Sequence, residues 1–266
     1  MKREPVVSGS FYPGNPSILN EELGKHIRFA ETKKKVVGLI VPHAGYVFSG
    51  RCAGKGFGAV EIPGNVVILG VNHHNIGHAF AVDGHDYWKT PLGEVQIAQE
   101  LREKLTAASA LFKVDTIASS QEHSIEVQAP FIKYINPNAR MLPISIGLAD
   151  IKRLVDAGKE IAALVKDNPD VLIVASTDMS HYISAERARD KDKNAIAKIQ
   201  NLDPEGLYNT VMTERISMCG MAGTVVMLTA ALALGATKAE VIDYTNSGVV
   251  MGDYNRVVAY LSMIVY

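Results

Sequence analysis

The chain has 266 residues, of which 47% are hydrophobic and 21% are charged, and its formal net charge at pH 7 is -1. This composition is typical of a globular protein that buries a core without disulfide or metal staples. The near-neutral charge and the lack of a long basic stripe argue against a nucleic-acid partner.

Helical and strand patterns alternate along the chain. In the first half they predict a helix begun by Asn15 and Pro16, a strand at 36–41, a helix at 49–60, strands at 66–70 and 79–84, a loop or hairpin at 87–94 and a helix at 95–105. In the second half they predict a helix at 123–135 that Pro130 kinks or delays, a strand at 141–147, a helix at 150–165, a strand at 170–177, helices at 185–200 and 203–212, and strands at 239–244 and 257–266.

The stretch from Ile216 to Ala236 contains no charged residue and is long enough to span a membrane. Because it holds Gly220, Gly223 and polar side chains, we expect a buried helix of a soluble fold instead. The two cysteines, Cys52 and Cys219, are too few for a disulfide framework and suit a reducing compartment. The N-terminus lacks the apolar core of a signal peptide, so we expect a cytoplasmic protein with no membrane partner.

Three apolar strands, at 36–41, 66–70 and 170–177, are separated by helices. This order predicts parallel pairing with helices on both faces of the sheet. No linker, repeat or low-complexity segment interrupts the chain. The sequence therefore predicts an α/β fold with a mostly parallel central sheet between two helical layers, as a single domain spanning residues 1–266.

Histidines follow each of these three strands. His43 comes after the first strand, His73 and His74 after the second, and Asp178 and His181 after the third. Ligands of open parallel sheets bind beyond the carboxyl ends of the strands, where such turns converge. A lone histidine after a strand usually only forms hydrogen bonds, but three imidazoles in one crevice indicate a metal or acid–base site.

The further ligand of such a metal stays open at this level. Carboxylates near the turns are Asp178, Glu126 and Asp243, and Cys219 competes with them. Cys219 lies at a predicted helix start, where the helix dipole stabilises a thiolate. A small buried apolar residue is nevertheless the commoner role of a cysteine. His123, in the segment EHSIE, either caps a helix or faces the crevice.

Several segments together resemble the Memo family. They are SGSFYPG, VPHAGYVFSG, LGVNHH, EHSIEVQAPF, STDMSHY and DYTNSG, and the resemblance covers residues 5–266. The bacterial and archaeal branch of this family often occurs beside a radical-SAM protein and an AMMECR-type protein, which the resemblance implies as partners. It also implies the fold of the class III extradiol dioxygenases, in which two histidines and one glutamate hold Fe(II).

Carried onto this chain, the resemblance implies His43, His73 and Cys219 as metal ligands, with the cysteine in place of the glutamate. It implies His181 as the acid–base histidine and His123 as a group that supports the ligands or faces the substrate. We include His123 and Asp178, which directly follows the third strand, with His181 as the candidate catalytic residues.

Two imidazoles and one anion leave positions on a metal open for substrate and dioxygen. Together with this chemistry, the resemblance implies metal binding as the expected function, with non-haem iron oxidoreductase activity of the extradiol-dioxygenase type on a small phenolic or other aromatic substrate. Fe(II) is the first expectation, and Cu or Zn are alternatives because a thiolate is a soft ligand. A non-catalytic metal-binding or adaptor protein is the alternative function, and zinc hydrolysis ranks last. Assembly into a homo-oligomer stays open.

Overall fold

The computed structural model describes residues 1–166, 168 and 170–266. The strands are β1 (Lys2–Arg3), β2 (Gly38–Val41), β3 (Asn65–Val71), β4 (Phe80–Val82), β5 (Tyr87–Thr90), β6 (Gly93–Gln96), β7 (Lys113–Val114), β8 (Arg140–Ile146), β9 (Val171–Ser176), β10 (His181–Ile183), β11 (Ala239–Asn246) and β12 (Val257–Val265). The helices are α1 (Pro16–His26), α2 (Tyr46–Ala59), α3 (Gln99–Ala108), α4 (Ala129–Ile135), α5 (Ile151–Lys166), α6 (Ala185–Gln200), α7 (Pro204–Thr213), α8 (Met221–Ala233) and α9 (Gly248–Met251).

The large sheet has the strand order β10-β12-β2-β9-β3-β8-β4-β7, with β11 paired to β12. Its four central strands, β2, β9, β3 and β8, pair in parallel. Antiparallel pairing appears only towards the margins, where β12 meets β2, β10 and β11, and where β4 meets β8. A separate three-stranded sheet joins β1, β5 and β6. The predicted α/β fold with a parallel central sheet is confirmed.

Helices cover both faces of the large sheet. Along β3, Val67 and Leu69 point into one core with α3 and α5 to α8, whereas Val66 and Ile68 point into the other with α1, α2 and α4. All four side chains are fully buried. Because both faces are covered, the strand is continuously apolar rather than alternating. The two helical layers thus leave the strand ends as the place where polar side chains gather.

Every predicted helix and strand has a counterpart in the structure, although several boundaries move. The helix expected at 95–105 begins only at Gln99, because Val95 and Gln96 complete the β5–β6 hairpin. The helix expected at 123–135 begins late, as a tight 3-10 turn over Glu126–Gln128 followed by α4. The uncharged stretch forms the buried helix α8. Within the described residues, no helix is long and apolar enough to cross a membrane.

A buried ion pair fastens the N-terminal segment to the tight turn that precedes α4. Arg3 Nη1 lies 2.6 Å from Glu126 Oε2, and the two residues are 3% and 1% exposed. The Glu126 carboxylate also accepts hydrogen bonds from the backbone N–H groups of Val6 and Val7 and from the hydroxyl of Tyr12. Arg3 donates in turn to the carbonyl oxygen of Glu122 at 2.7 Å. The sequence offered no local sign of this anchor, since its partners are far apart along the chain.

The anchor predicts a large loss of stability when the arginine is removed. Arg3→Ala would leave the Glu126 charge buried without its cation, so the free energy of unfolding should fall by about 3–5 kcal/mol. Lys2→Ala is the matched control, because Lys2 and Glu94 form an exposed pair, and exposed pairs contribute little to stability. Urea denaturation measures both variants. Equal, small losses in both would contradict a stabilising role of the buried pair.

Candidate metal centre

A crevice of about 650 Å³ opens beyond the carboxyl ends of the central strands. Its size is within the range of small-molecule sites. The six site residues expected from the sequence all line this crevice, together with aromatic side chains that were not predicted. The six are His43, His73, His123, Asp178, His181 and Cys219.

Three of these histidines form a compact cluster. Among the described residues, His43, His73 and His123 each offer a ring nitrogen, and these nitrogens all lie within 4.8 Å of one another. The His73 and His123 rings are stacked, with centroids 4.6 Å apart and an interplanar angle of 17°. The His43 ring stands edge-on to both, at 5.3 Å and 5.5 Å. Such a group has the spacing of ligands that surround one ion.

A buried hydrogen-bond network fixes the tautomer of His43. The hydroxyl of Ser176 donates to the Ser124 carbonyl oxygen at 2.7 Å and accepts from Gln128 Nε2 at 2.9 Å. Because its one hydroxyl proton is donated to Ser124, Ser176 can only accept a hydrogen bond from His43 Nδ1, which lies 3.0 Å away. The proton of the neutral ring is therefore on Nδ1, and Nε2 keeps its lone pair. Burial lowers the pKa of His43 well below its usual value, as do the neighbouring histidines.

Glu122 orients His73 in the same manner. This carboxylate is fully buried and lies 2.9 Å from His73 Nδ1, and it also accepts from the His73 backbone N–H. Burial alone would raise the pKa of Glu122, but the hydrogen bond and charge of His73 and the N–H of Ser124 lower it to about 2. His123 Nδ1 lies 3.7 Å from the same carboxylate. A single buried anion thus orients His73 and lies close to His123.

Cys219 stands beside the cluster rather than within it. Its Sγ lies 3.1 Å from His43 Nε2, and the backbone N–H of Asp178 donates to it at 3.2 Å. Cys219 precedes α8 by two residues, as expected for a helix start. Burial raises the pKa of the thiol, as does the nearby Asp178 carboxyl group, although the backbone N–H of Asp178 opposes them.

Two close approaches of the backbone set this geometry. A Cβ at Gly220 would collide with the Ser176 carbonyl oxygen and the Thr177 side chain, so only glycine lets Cys219 reach the turn after β9. A Cβ at Gly70 would collide with Ile125, which packs the end of β3 against the segment that carries His123. Glycine is required at both positions because another chain segment occupies the space of a side chain.

Asp178 and His181 take different positions in the crevice wall. Asp178 Oδ1 accepts from the His43 backbone N–H at 2.8 Å, which ties the turns after β2 and β9 together. Burial raises the pKa of Asp178 to about 6 despite that hydrogen bond. His181 Nδ1 lies 2.8 Å from the carbonyl oxygen of Ser217, which can only accept. Its Nε2 therefore keeps a lone pair.

Comparison with known proteins identifies the family. A sequence profile described as Memo-like protein matches residues 3–264. The chain belongs to the Memo family. It is 42% identical over 264 residues to a MEMO1 family protein of Aquifex aeolicus, with 98% of each chain covered. It is 41% identical over 266 residues to one of Methanosarcina barkeri, with 99% of each covered.

A solved structure resembles the fold of this Memo-family protein. It is an uncharacterised protein of Escherichia coli K12, with a TM-score of 0.52 and 15% sequence identity. The match covers 85% of this chain and 99% of the other. At this identity the likeness concerns the fold alone. It is consistent with the α/β architecture described above.

Sequence reasoning missed the residues that hold the imidazoles in place. Ser176 lies inside an apolar strand and Gln128 inside a tight turn, so neither carries a local sign of contact with His43. Phe11 comes from the anchored N-terminal segment, and its ring lies 4.9 Å from that of His123. Arg256, also in the wall, directly precedes β12. Ser176, Gln128 and Phe11 all lie in family-like segments, whereas Arg256 lies in none of them.

The network predicts opposite tautomers for different histidines. At pH 8, where histidines are mostly neutral, ¹H–¹⁵N NMR should show His43 and His181 protonated on Nδ1. His74 is the internal control, because its Nε2 lies 3.1 Å from the Gln121 carbonyl oxygen and must donate to it. A spectrum in which His43 carries its proton on Nε2 would be inconsistent with the Ser176 network.

Proposed function

We propose that this Memo-family protein binds one transition-metal ion between His43, His73 and His123. The observation that carries the proposal is the convergence of three ring nitrogens within 4.8 Å. The Nδ1 atoms of His43 and His73 are already engaged by Ser176 and Glu122. Metal-binding histidines usually have their second nitrogen hydrogen-bonded in this way, which leaves Nε2 for the ion.

Cys219 is the proposed additional ligand. It was expected as a ligand with His43 and His73, and its sulfur lies 3.1 Å from His43 Nε2. A bound cation would deprotonate a coordinating thiol, which reverses the effect of burial on its pKa. Imidazoles with one thiolate suit Fe(II), Cu and Zn, and we propose Fe(II).

We further propose that the centre oxidises a small phenolic or other aromatic molecule. Iron in such a site supplies redox chemistry with dioxygen. Phe11, Phe48 and Tyr260 line the crevice and would pack against an aromatic ring while excluding water. His181 Nε2, free to accept, would take a proton from the hydroxyl group of that ring. The contact with the Ser217 carbonyl oxygen would hold the imidazole in the required tautomer.

Metal binding is tested with anaerobic Fe(II) and a competing chelator. His73→Ala should lower affinity more than about 100-fold, and Glu122→Gln should lower it about 10–100-fold, as removal of an outer-shell partner does. His74→Ala, which changes the exposed neighbour, is the matched control and should leave affinity unchanged. Substitution by Co(II) adds a spectroscopic test, since a sulfur-to-metal absorption band should vanish in Cys219→Ser. Undiminished Fe(II) affinity in His73→Ala would refute the proposed centre.

Catalysis is tested by oxygen consumption with a panel of catechols and aminophenols. His181→Ala should retain Fe(II) binding and lose turnover by about 10²–10⁴-fold, the usual contribution of a general base. His78→Ala, outside the crevice lining, is the control for loss of a histidine. If the wild-type protein binds Fe(II) but consumes no oxygen with any compound, the non-catalytic metal-binding or adaptor function is favoured instead.

A further inference from the structure

The wall of the crevice has an unusual distribution of charge. Among the described residues that line it, Arg256 is the only one with a permanent positive charge and Asp178 is the only one with a carboxyl group. Asp178 is buried and already accepts a hydrogen bond from the His43 backbone. The exposed Arg256 guanidinium has no carboxylate within 4.0 Å in the part of the chain that the structure describes. A ligand entering the crevice therefore meets a cation that is available for pairing.

The aromatic neighbour of this cation is held in a strained conformation. The guanidinium carbon of Arg256 lies over the Tyr182 ring, 5.1 Å from its centroid. Tyr182 has a φ of 60°, in the left-handed region that favours glycine. It falls where the pairing of β10 with β12 shifts register, between the pairs His181–Val258 and Ile183–Val257. Bulges with this backbone conformation commonly contain glycine, which would relieve the strain.

Burial does not explain why a tyrosine occupies the bulge. Its side chain is 64% exposed, so little apolar surface is removed from water to offset the strained backbone. The ring instead lines the crevice, between the acid–base candidate His181 and Arg256. Strain of this kind persists mainly at functional sites. The Tyr182 ring is thus placed to hold the guanidinium over the mouth of the crevice.

We propose that Arg256 and Tyr182 form a binding site for the carboxylate group of an aromatic acid. A guanidinium binds a carboxylate through two parallel hydrogen bonds, which fixes orientation as well as charge. Phe11, Phe48 and Met251 supply the apolar contacts for the ring of the same molecule. The ring hydroxyl would then face the histidines while the acid group stays at Arg256. The inference rests on the proposed function only in identifying this ligand as the substrate.

The test measures binding in protein loaded with redox-silent Zn(II), by calorimetry. The probes are 3,4-dihydroxybenzoate, its methyl ester and catechol. Wild-type protein should bind the acid at least about tenfold more tightly than either neutral probe, a difference typical of one charged hydrogen-bonded contact. Arg256→Gln should abolish this preference while catechol affinity stays unchanged. Arg28→Gln is the matched control, because Arg28 lies against Gly58 at the end of α2 remote from the crevice.

Tyr182→Gly removes the ring and also relieves the backbone strain, so it distinguishes a role in binding from a role in stability. This variant should retain or raise its midpoint of urea denaturation, yet lose most of the preference for the acid. Equal affinity of wild-type protein for the acid and its methyl ester would overturn the proposal, as would an unchanged preference in Arg256→Gln. Tighter binding of phenyl phosphate than of benzoate would overturn the carboxylate assignment.

Benzoate serves as a further probe, which distinguishes this proposal from failure of the metal centre. In His73→Ala without added metal, benzoate binding that still depends on Arg256 would support the anion site even where Fe(II) binding had failed. Loss of benzoate binding in Arg256→Gln with Fe(II) affinity intact would support both proposals. If the preference for acids is lost in His73→Ala but kept in Arg256→Gln, the anion site is refuted and the metal centre is not.

Discussion

Parallel pairing of β2, β9 and β3 is the constraint on which the rest of the site depends. Val41 lies beside Ser176, and Leu69 lies beside Ala175, so these strands end at nearly the same level. The turns that follow them have to share one edge of the sheet. Imidazoles from distant parts of the sequence, such as His43 and His73, meet there because the strands that precede them end side by side. Because helices cover both faces of the sheet, the side chains along the strands are apolar and the polar groups lie at the strand ends.

The part of the site that follows from this constraint could be predicted from the sequence. His43, His73 and His181 each come after an apolar strand, and their placement along one crevice requires only that the strands pair in parallel. His123 and Cys219 are different, because neither follows a strand of the parallel centre. Their positions depend on close packing at Gly70 and Gly220, which no periodic pattern reveals. For these two residues the family resemblance supplied what local patterns could not.

The margins of the fold were harder to predict for a related reason. The sequence indicated strands at 239–244 and 257–266 but not that β12 runs antiparallel beside β2. It gave no sign of the short strand β10, which has only three residues and whose pairing contains a register shift. The Arg3–Glu126 anchor joins residues 123 positions apart. Long-range contacts of this kind depend on tertiary docking, and the residues themselves have no preference that distinguishes them from ordinary surface charges.

Several features that conflict with stability lie in the crevice or directly beside it. Glu122 and Asp178 are buried carboxyl groups, and Gln128 Oε1 is buried without a hydrogen-bond partner within the described chain. Each lowers the free energy of unfolding relative to an apolar side chain that packs well. The backbone of Tyr182, which follows His181 in the chain, is strained as well. A chain selected for stability alone would place none of these here. Their presence beside three imidazoles is expected where side chains are held ready for a ligand rather than for the fold.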